Sequence, residues 1–306
     1  MSECRRGSCG EKVAIIANVL NIEYYLGGTF LSMYLGRAMS RLGADVKLLS
    51  LNDFIYNDNG KYDLIITTDY TFDPVRVNSK AVFWSIDDPE CLYSAKSGYD
   101  TFFTHSEGSI SLHEKIGRKN VKYLPFAYDS SIFYPMNLDK IYDIIYIGNG
   151  IESKTYDIIL TPAMELAEKR GLRFAIFGAY WNKRNNIKFR KYLHNPIPPD
   201  EVRRVYNSAK IVLNMHRETQ RITKNSFIMR DFEARACKAF VLSDSFDGSE
   251  YFNAIISKTP EETTKLLSYY LKNDEERNVQ ASKEYEIIKN ETYGKRAEQI
   301  YKEVIK

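Results

Sequence analysis

The chain has 306 residues, 44% hydrophobic and 27% charged, which allows two ordinary domains with sizeable cores and excludes wholesale disorder. Its 43 basic and 40 acidic side chains leave a net charge of +3, which argues against bulk electrostatic capture of nucleic acid and leaves only a local basic pocket open. Four scattered cysteines (Cys4, Cys9, Cys91, Cys237) argue against a disulfide framework. No run approaches the ~18–20 apolar residues that span a bilayer, and no signal peptide is read at the N-terminus. The expectation is a reduced, soluble, cytoplasmic protein with at most peripheral membrane contact.

Residues 1–11 read as a loose tail. The apolar run 12–18 suits a buried parallel strand. Gly27-Gly28 follow, and 29–42 has helical spacing (Phe30, Met33, Tyr34, Arg37, Ala38, Arg41) closed by Gly43. Strands are predicted at 44–51, 63–67, 81–85, 101–104 and 121–124, with a helix over 109–116. A second series begins after Pro135: strand 141–148, helix 158–170, strand 173–177, helix 199–208, strand 211–215, helix 227–236 and strand 240–242. Segments 261–271 and 281–306 read as terminal helices. Strands alternating with helices at this pitch predict doubly wound parallel α/β sheets. The expected domains are 1–136 and 137–280, with 281–306 a last helix crossing back to the first.

Several strand ends carry chemistry. Gly148-Asn149-Gly150 closes a strand before a helix, where backbone N–H groups meet an anion or form a tight turn. Gly178 ends the next strand in the same way. Asn214 and His216 sit at the tip of strand 211–215. Arg217, Arg221, Lys224 and Arg230 follow, and a planar guanidinium suits a diphosphate. In Arg230-Asp231-Phe232-Glu233, an acid opens a short helix and an apolar strand comes next. Such a carboxylate accepts bonds from the two hydroxyls of a ribose, or simply steadies the helix terminus. In the first half, Asp87-Asp88-Pro89 places paired carboxylates at a strand end. Like-charge repulsion raises their proton affinity, which suits Asp87 as a general base, while Asp88 before Pro89 reads as a helix cap. His105 ends the next strand, within reach of the same place.

The stretch 230–244 resembles the nucleotide-sugar signature of GT-B glycosyltransferases, an acid-led helix followed by an apolar strand. Tyr206-Asn207 with Leu213-Asn214, Trp84-Ser85-Ile86-Asp87-Asp88-Pro89 and Leu124-Pro125 with Phe133-Tyr134-Pro135 resemble the CgeB-like branch of that class. The resemblance covers roughly residues 81–306. It departs at Asn225, where many retaining relatives have an acid, and at Lys238, where glycine is usual. It implies a GT-B fold, two Rossmann-like domains facing across a cleft. The implied activity is metal-independent transfer of a sugar from a nucleotide-sugar donor to an acceptor hydroxyl. A UDP-sugar is favoured, a GDP-sugar is an option, and no other cofactor is implied. The acceptor would be a glycan, a lipid-linked group or a protein, not a nucleic acid. Asp87 and His105 would be catalytic. Gly28, Gly148, Asn149, Lys154, Gly178, Asn214, His216, Arg217, Arg230 and Glu233 would hold the donor. A silent GT-B-like binding protein and a nucleotide-sugar epimerase are the alternatives.

Overall fold

A computed structural model describes residues 10–17, 27–58, 60–150, 155–181 and 184–304, with only the backbone of 184–186. The chain divides into two compact units. One comprises Met1–Ala127, Thr223–Phe227 and Glu291–Lys306, and the other Tyr128–Ile222 and Ile228–Asn290.

The first unit begins with β1 (Lys12–Ala17), α1 (Gly27–Arg41), β2 (Asp45–Ser50), α2 (Leu51–Tyr56) and β3 (Leu64–Thr67). It continues with β4 (Lys80–Ser85), β5 (Thr101–Thr104), α3 (Ile110–Lys115) and β6 (Val121–Tyr123). The strands form one parallel sheet in the order β2-β1-β3-β4-β5-β6. β1, β3, β4 and β5 are buried along nearly their whole length, as continuous apolar runs such as Val13-Ala14-Ile15-Ile16 require when helices cover both faces of a sheet. One cluster around Phe72, Phe83, Tyr99 and Phe102 fills this core with tilted and edge-on rings.

The second unit runs β7 (Tyr142–Ile147), a π-helical turn Tyr156–Leu160 leading into α4 (Thr161–Arg170), β8 (Phe174–Phe177), a 3-10 stretch Arg184–Tyr192 and β9 (Leu193–His194). Then come α5 (Pro199–Asn207), β10 (Ala209–Asn214), α6 (Glu218–Ile222), α7 (Met229–Ala236), β11 (Val241–Asp244), β12 (Ile255–Ser257), α8 (Pro260–Tyr270) and α9 (Asp274–Ile288). Its sheet is also parallel, in the order β12-β11-β10-β7-β8-β9. Strand order therefore reverses between β7 and β10, and open α/β sheets bind ligands at the carboxyl ends beside such a switch. Gly171 stops α4 in the left-handed region at φ 64, a conformation glycine adopts without a Cβ penalty.

The predicted helix over 281–306 is two helices. α9 ends at Ile288, and α10 (Tyr293–Val304) starts afresh where the Thr292 hydroxyl accepts the Lys295 amide at 3.3 Å. α10 belongs to the first unit. Tyr293 lies 5.5 Å ring to ring from Tyr34 and 6.4 Å from Trp84, and the buried Arg296 guanidinium donates to the carbonyls of Pro125 (2.8 Å) and Phe126 (3.0 Å). The short segment Thr223–Phe227, predicted in part as helix, instead bonds to the first unit. Ser226 bridges Ser106, and Gly108 donates its amide to the Lys224 carbonyl at 2.9 Å. α2, α6, the 3-10 stretch and the short edge strands β9 and β12 went unpredicted. Among the described residues no helix is long and apolar enough to cross a membrane.

Candidate nucleotide site

The carboxyl ends of β7 and β8 carry glycines, against which Arg230, Tyr146 and Trp181 pack closely. Gly148 donates its amide to the Phe177 carbonyl at 2.8 Å, which brings the two strand ends together. A Cβ on Gly178, held at φ 153, would lie 2.1 Å from the Gly148 carbonyl oxygen. A Cβ on Gly148 would lie 2.6 Å from the Arg230 guanidinium and from the Tyr146 hydroxyl. Only glycine satisfies both positions. The loop is pinned by Asn149 Oδ1, which accepts the Ala179 amide at 3.0 Å, and by Trp181 Nε1, which donates to the Gly148 carbonyl at 3.0 Å. Lys154 lies outside the described residues.

Across the switch point stands α7, whose inner face is a buried charge network. Asp231 Oδ2 accepts the Ile228 amide at 2.9 Å and starts the helix. The same carboxylate receives Asn214 Nδ2 at 2.7 Å and His216 Nε2 at 2.9 Å. His216 gives Nδ1 to Asp244 at 2.8 Å and stacks on Phe246 at 4.0 Å. Burial alone would lower the histidine pKa, but Asp231 and Asp244 lift it to about 9, so the ring is an imidazolium. Arg235 donates to the Asp231 carbonyl at 2.9 Å and pairs with Glu284 at 2.7 Å. His216 is thus withdrawn from the expected ligand set: both ring nitrogens are committed inside the protein. Asn214 is likewise fully buried, and its side chain holds Asp231, Ser243 and Arg230 rather than reaching outward.

The outer face differs. Arg230 lies 4.6 Å over the Tyr146 ring and reaches only neutral acceptors: Asn214 Oδ1 at 3.2 Å, the Met215 carbonyl at 3.4 Å and the Tyr146 hydroxyl at 3.4 Å. Among the described residues no carboxylate forms an ion pair with it. Glu233, half-buried and three residues on, is on the same side of the helix. Among the described residues its carboxyl meets no hydrogen-bond donor. Burial pushes it up to about 8, with Arg230 pulling the other way. Arg217 is half-buried and its amide donates to Gln220 Oε1 at 3.0 Å. Arg221 turns inward, to the Ser245 carbonyl at 2.9 Å and Asp244 at 3.6 Å.

In the first unit, Gly28 is the second residue of α1, and its carbonyl takes the Ser32 hydroxyl at 3.0 Å. Asp87 is half-buried past β4, with its amide on the Tyr70 hydroxyl at 3.2 Å. Asp88 is no helix cap. It is buried and receives Thr104 Oγ1 at 2.5 Å and His113 Nε2 at 2.7 Å. Arg118 donates to His113 Nδ1 at 2.6 Å, and a guanidinium cannot accept, so the imidazole proton sits on Nε2. His113 and Arg118 carried no signal in the sequence, because a histidine and an arginine five residues apart have no pattern without Asp88 beside them. His105 is 0% exposed, lies edge-on to Phe126 at 4.8 Å, and burial pushes its pKa down to about 4. That sealed neutral ring replaces the expected catalytic histidine with a core residue. Asn225 sits at φ 48 and donates Nδ2 to Glu107 at 2.5 Å, while Lys224 pairs with the same carboxylate at 2.8 Å.

Known proteins resemble this chain in sequence and fold. Residues 159–302 match the family model described as glycosyl transferase-like. Spore protein CgeB of Bacillus subtilis (strain 168) is 26% identical over 202 residues, 61% of this chain and 62% of that protein, so the match spans less than two thirds of the relative. The T4 phage BGT structure in complex with its UDP-glucose substrate superposes with a TM-score of 0.69 at 18% identity, covering 96% of this chain and 99% of that one. An α-glucosyltransferase in complex with UDP and a 13-mer DNA gives 0.71 at 11% identity, covering 97% and 99%. Two parallel sheets of this topology are the fold of the GT-B glycosyltransferases. In sequence, part of the chain is similar to CgeB.

Proposed function

We propose that this chain moves a sugar from a nucleoside-diphosphate sugar to an acceptor hydroxyl, with the second unit holding the donor. One observation carries the reading. Among the described residues Glu233 is a carboxylate that receives no hydrogen bond, one helical turn from Arg230, a guanidinium in no ion pair. A ribose diol and a diphosphate are the complementary pair. Gly148 lies close against the Arg230 guanidinium at the strand ends where phosphates would be received, and Asn149 and Arg217 follow β7 and β10 in the same sheet. The glucosyltransferases above were solved with UDP-glucose or UDP, which supports uridine as the base.

In the reaction, the acceptor oxygen bonds to the anomeric carbon and the bond from that carbon to the diphosphate breaks. The hydroxyl proton passes to Asp87 in this reading. The charge on the departing diphosphate falls to Arg230, helped by Arg217 and Lys154, with no metal needed in this scheme. The acceptor class is a glycan, a lipid-linked group or a protein. Calorimetry with UDP, together with chromatography of UDP-glucose incubated with and without acceptors, tests the proposal. Micromolar UDP binding and acceptor-dependent UDP release are expected, and no binding of any nucleotide would sink it. A second reading, nucleotide binding without turnover, draws on Asn225 standing where many relatives have an acid, its amide already spent on Glu107. Tight UDP binding with no product across acceptors would favour it.

A further inference from the structure

Charge is distributed unevenly along this chain. Residues 169–199 hold eight Lys and Arg and not one Asp or Glu, although the whole chain is nearly balanced at +3. The fold gathers part of this stretch at one edge of the second sheet. β9 is the edge strand, and the 3-10 stretch Arg184–Tyr192 runs back along it from the end of β8. Tyr192 lies 5.1 Å ring to ring from Phe174 and faces Glu168, so the chain carrying Arg190 and Lys191 passes near the end of α4, which carries Lys169 and Arg170. These four cations are all exposed, and none forms an ion pair with an acid among the described residues. Arg173 and Lys188 at the same edge are paired, with Asp143 and Asp157.

We propose that this edge docks on an anionic bilayer surface, independently of the nucleotide site. On the 3-10 stretch itself Ile187 is 68% exposed, next to Lys188, while the exposed ring of Tyr180 belongs to the loop after β8. Exposed cations on the same edge as an exposed aliphatic side chain suit headgroup attraction with shallow insertion. A nucleic-acid groove would instead offer rings for base stacking. Here the rings of Phe189 and Tyr192 are turned into the core. Keeping an edge strand from pairing with another chain would also use lysines, but it gives no reason for an exposed isoleucine among them.

The test is flotation of the full chain with vesicles of phosphatidylcholine alone and of phosphatidylcholine with 30% phosphatidylglycerol, at two salt concentrations. Binding is expected to the anionic vesicles only and to weaken with salt. Reversing four charges (Lys169→Glu, Arg170→Glu, Arg190→Glu, Lys191→Glu) should lower partitioning by at least about 100-fold. Ile187→Asp should lower it by about 3- to 10-fold. Both variants should keep the wild-type thermal midpoint and UDP affinity, since every altered side chain is exposed and outside the nucleotide site. Failure to float at low salt, or flotation that survives charge reversal, overturns the proposal. Retention on duplex DNA without vesicle binding also overturns it and points to nucleic acid instead.

Discussion

Asp231 and Glu233 lie two residues apart on α7 and meet opposite fates. Asp231 is fully buried and satisfied: an amide, an imidazolium, an amide side chain and a guanidinium surround it. Its pKa, which burial would raise, is held below the ordinary carboxylate value by His216 and Arg235. Glu233 has its pKa pushed up to about 8 by desolvation, and among the described residues no hydrogen bond offsets that push. Burial alone therefore does not set the character of an acid; the count of donors does. An acid whose bonds are all made belongs to the architecture, and one whose bonds are unmade is ready for a ligand.

The comparison can be broken at four points. The largest effect is expected at Asp231→Ala, which strands the buried charges of His216 and Arg235. Urea unfolding should show a loss of ~3–5 kcal/mol, and a loss under about 1 kcal/mol would refute the inner-face reading. Gly178→Ala comes next, because its Cβ would press on a backbone oxygen. A loss of ~1–3 kcal/mol is expected, together with weakened UDP binding in calorimetry. Glu233→Ala should leave the fold intact and weaken UDP-glucose binding by about 10- to 100-fold, the worth of a charged hydrogen bond. Unchanged affinity would remove Glu233 from the site.

The smallest effect concerns pH. A ribose diol donates to the ionised carboxylate, so UDP-glucose affinity should rise between pH 6.5 and 8.5, by up to about tenfold, and Glu233→Gln should flatten that rise. Stability runs the other way. The Glu233 carboxyl has a folded pKa of about 8, above its ordinary 4.5, so its contribution is complete below 4.5 and is lost as pH climbs through 8. His216 has a folded pKa of about 9 against 6.5, so its contribution is complete below 6.5 and is lost through 9. Thermal midpoints should fall from pH 7 to pH 9.5, and Glu233→Gln should recover the portion centred near 8. A midpoint that rises with pH would contradict both assignments.

Most of the sheets could be read from the sequence, because buried parallel strands appear as apolar runs such as Ile144-Ile145 or Val241-Leu242 and need no partner to be recognised. The acid-led helix and the glycines at 148 and 178 were legible too, since each is a local signal. The histidines were not. His105 and His216 both end strands, and nothing local separates a ring sealed against Phe126 from one clamped between two carboxylates contributed by residues 15 and 28 positions away. Short edge strands such as Leu193–His194 carry too few residues for a period to emerge. The break at residues 289–292 was hidden because the periodic apolar positions continue on both sides of it, while the new start depends on one hydroxyl, that of Thr292.

The first unit is assembled from three pieces of chain, and the last of them, α10, covers Tyr34 and Trp84. On the ribosome its sheet therefore emerges early but stays uncovered until residues 291–304 have been made. The second unit, whose residues end at Asn290, gains all its own contacts sooner. The half translated first is the half completed last. A nascent chain stalled before Tyr293 would present those uncovered aromatics to chaperones.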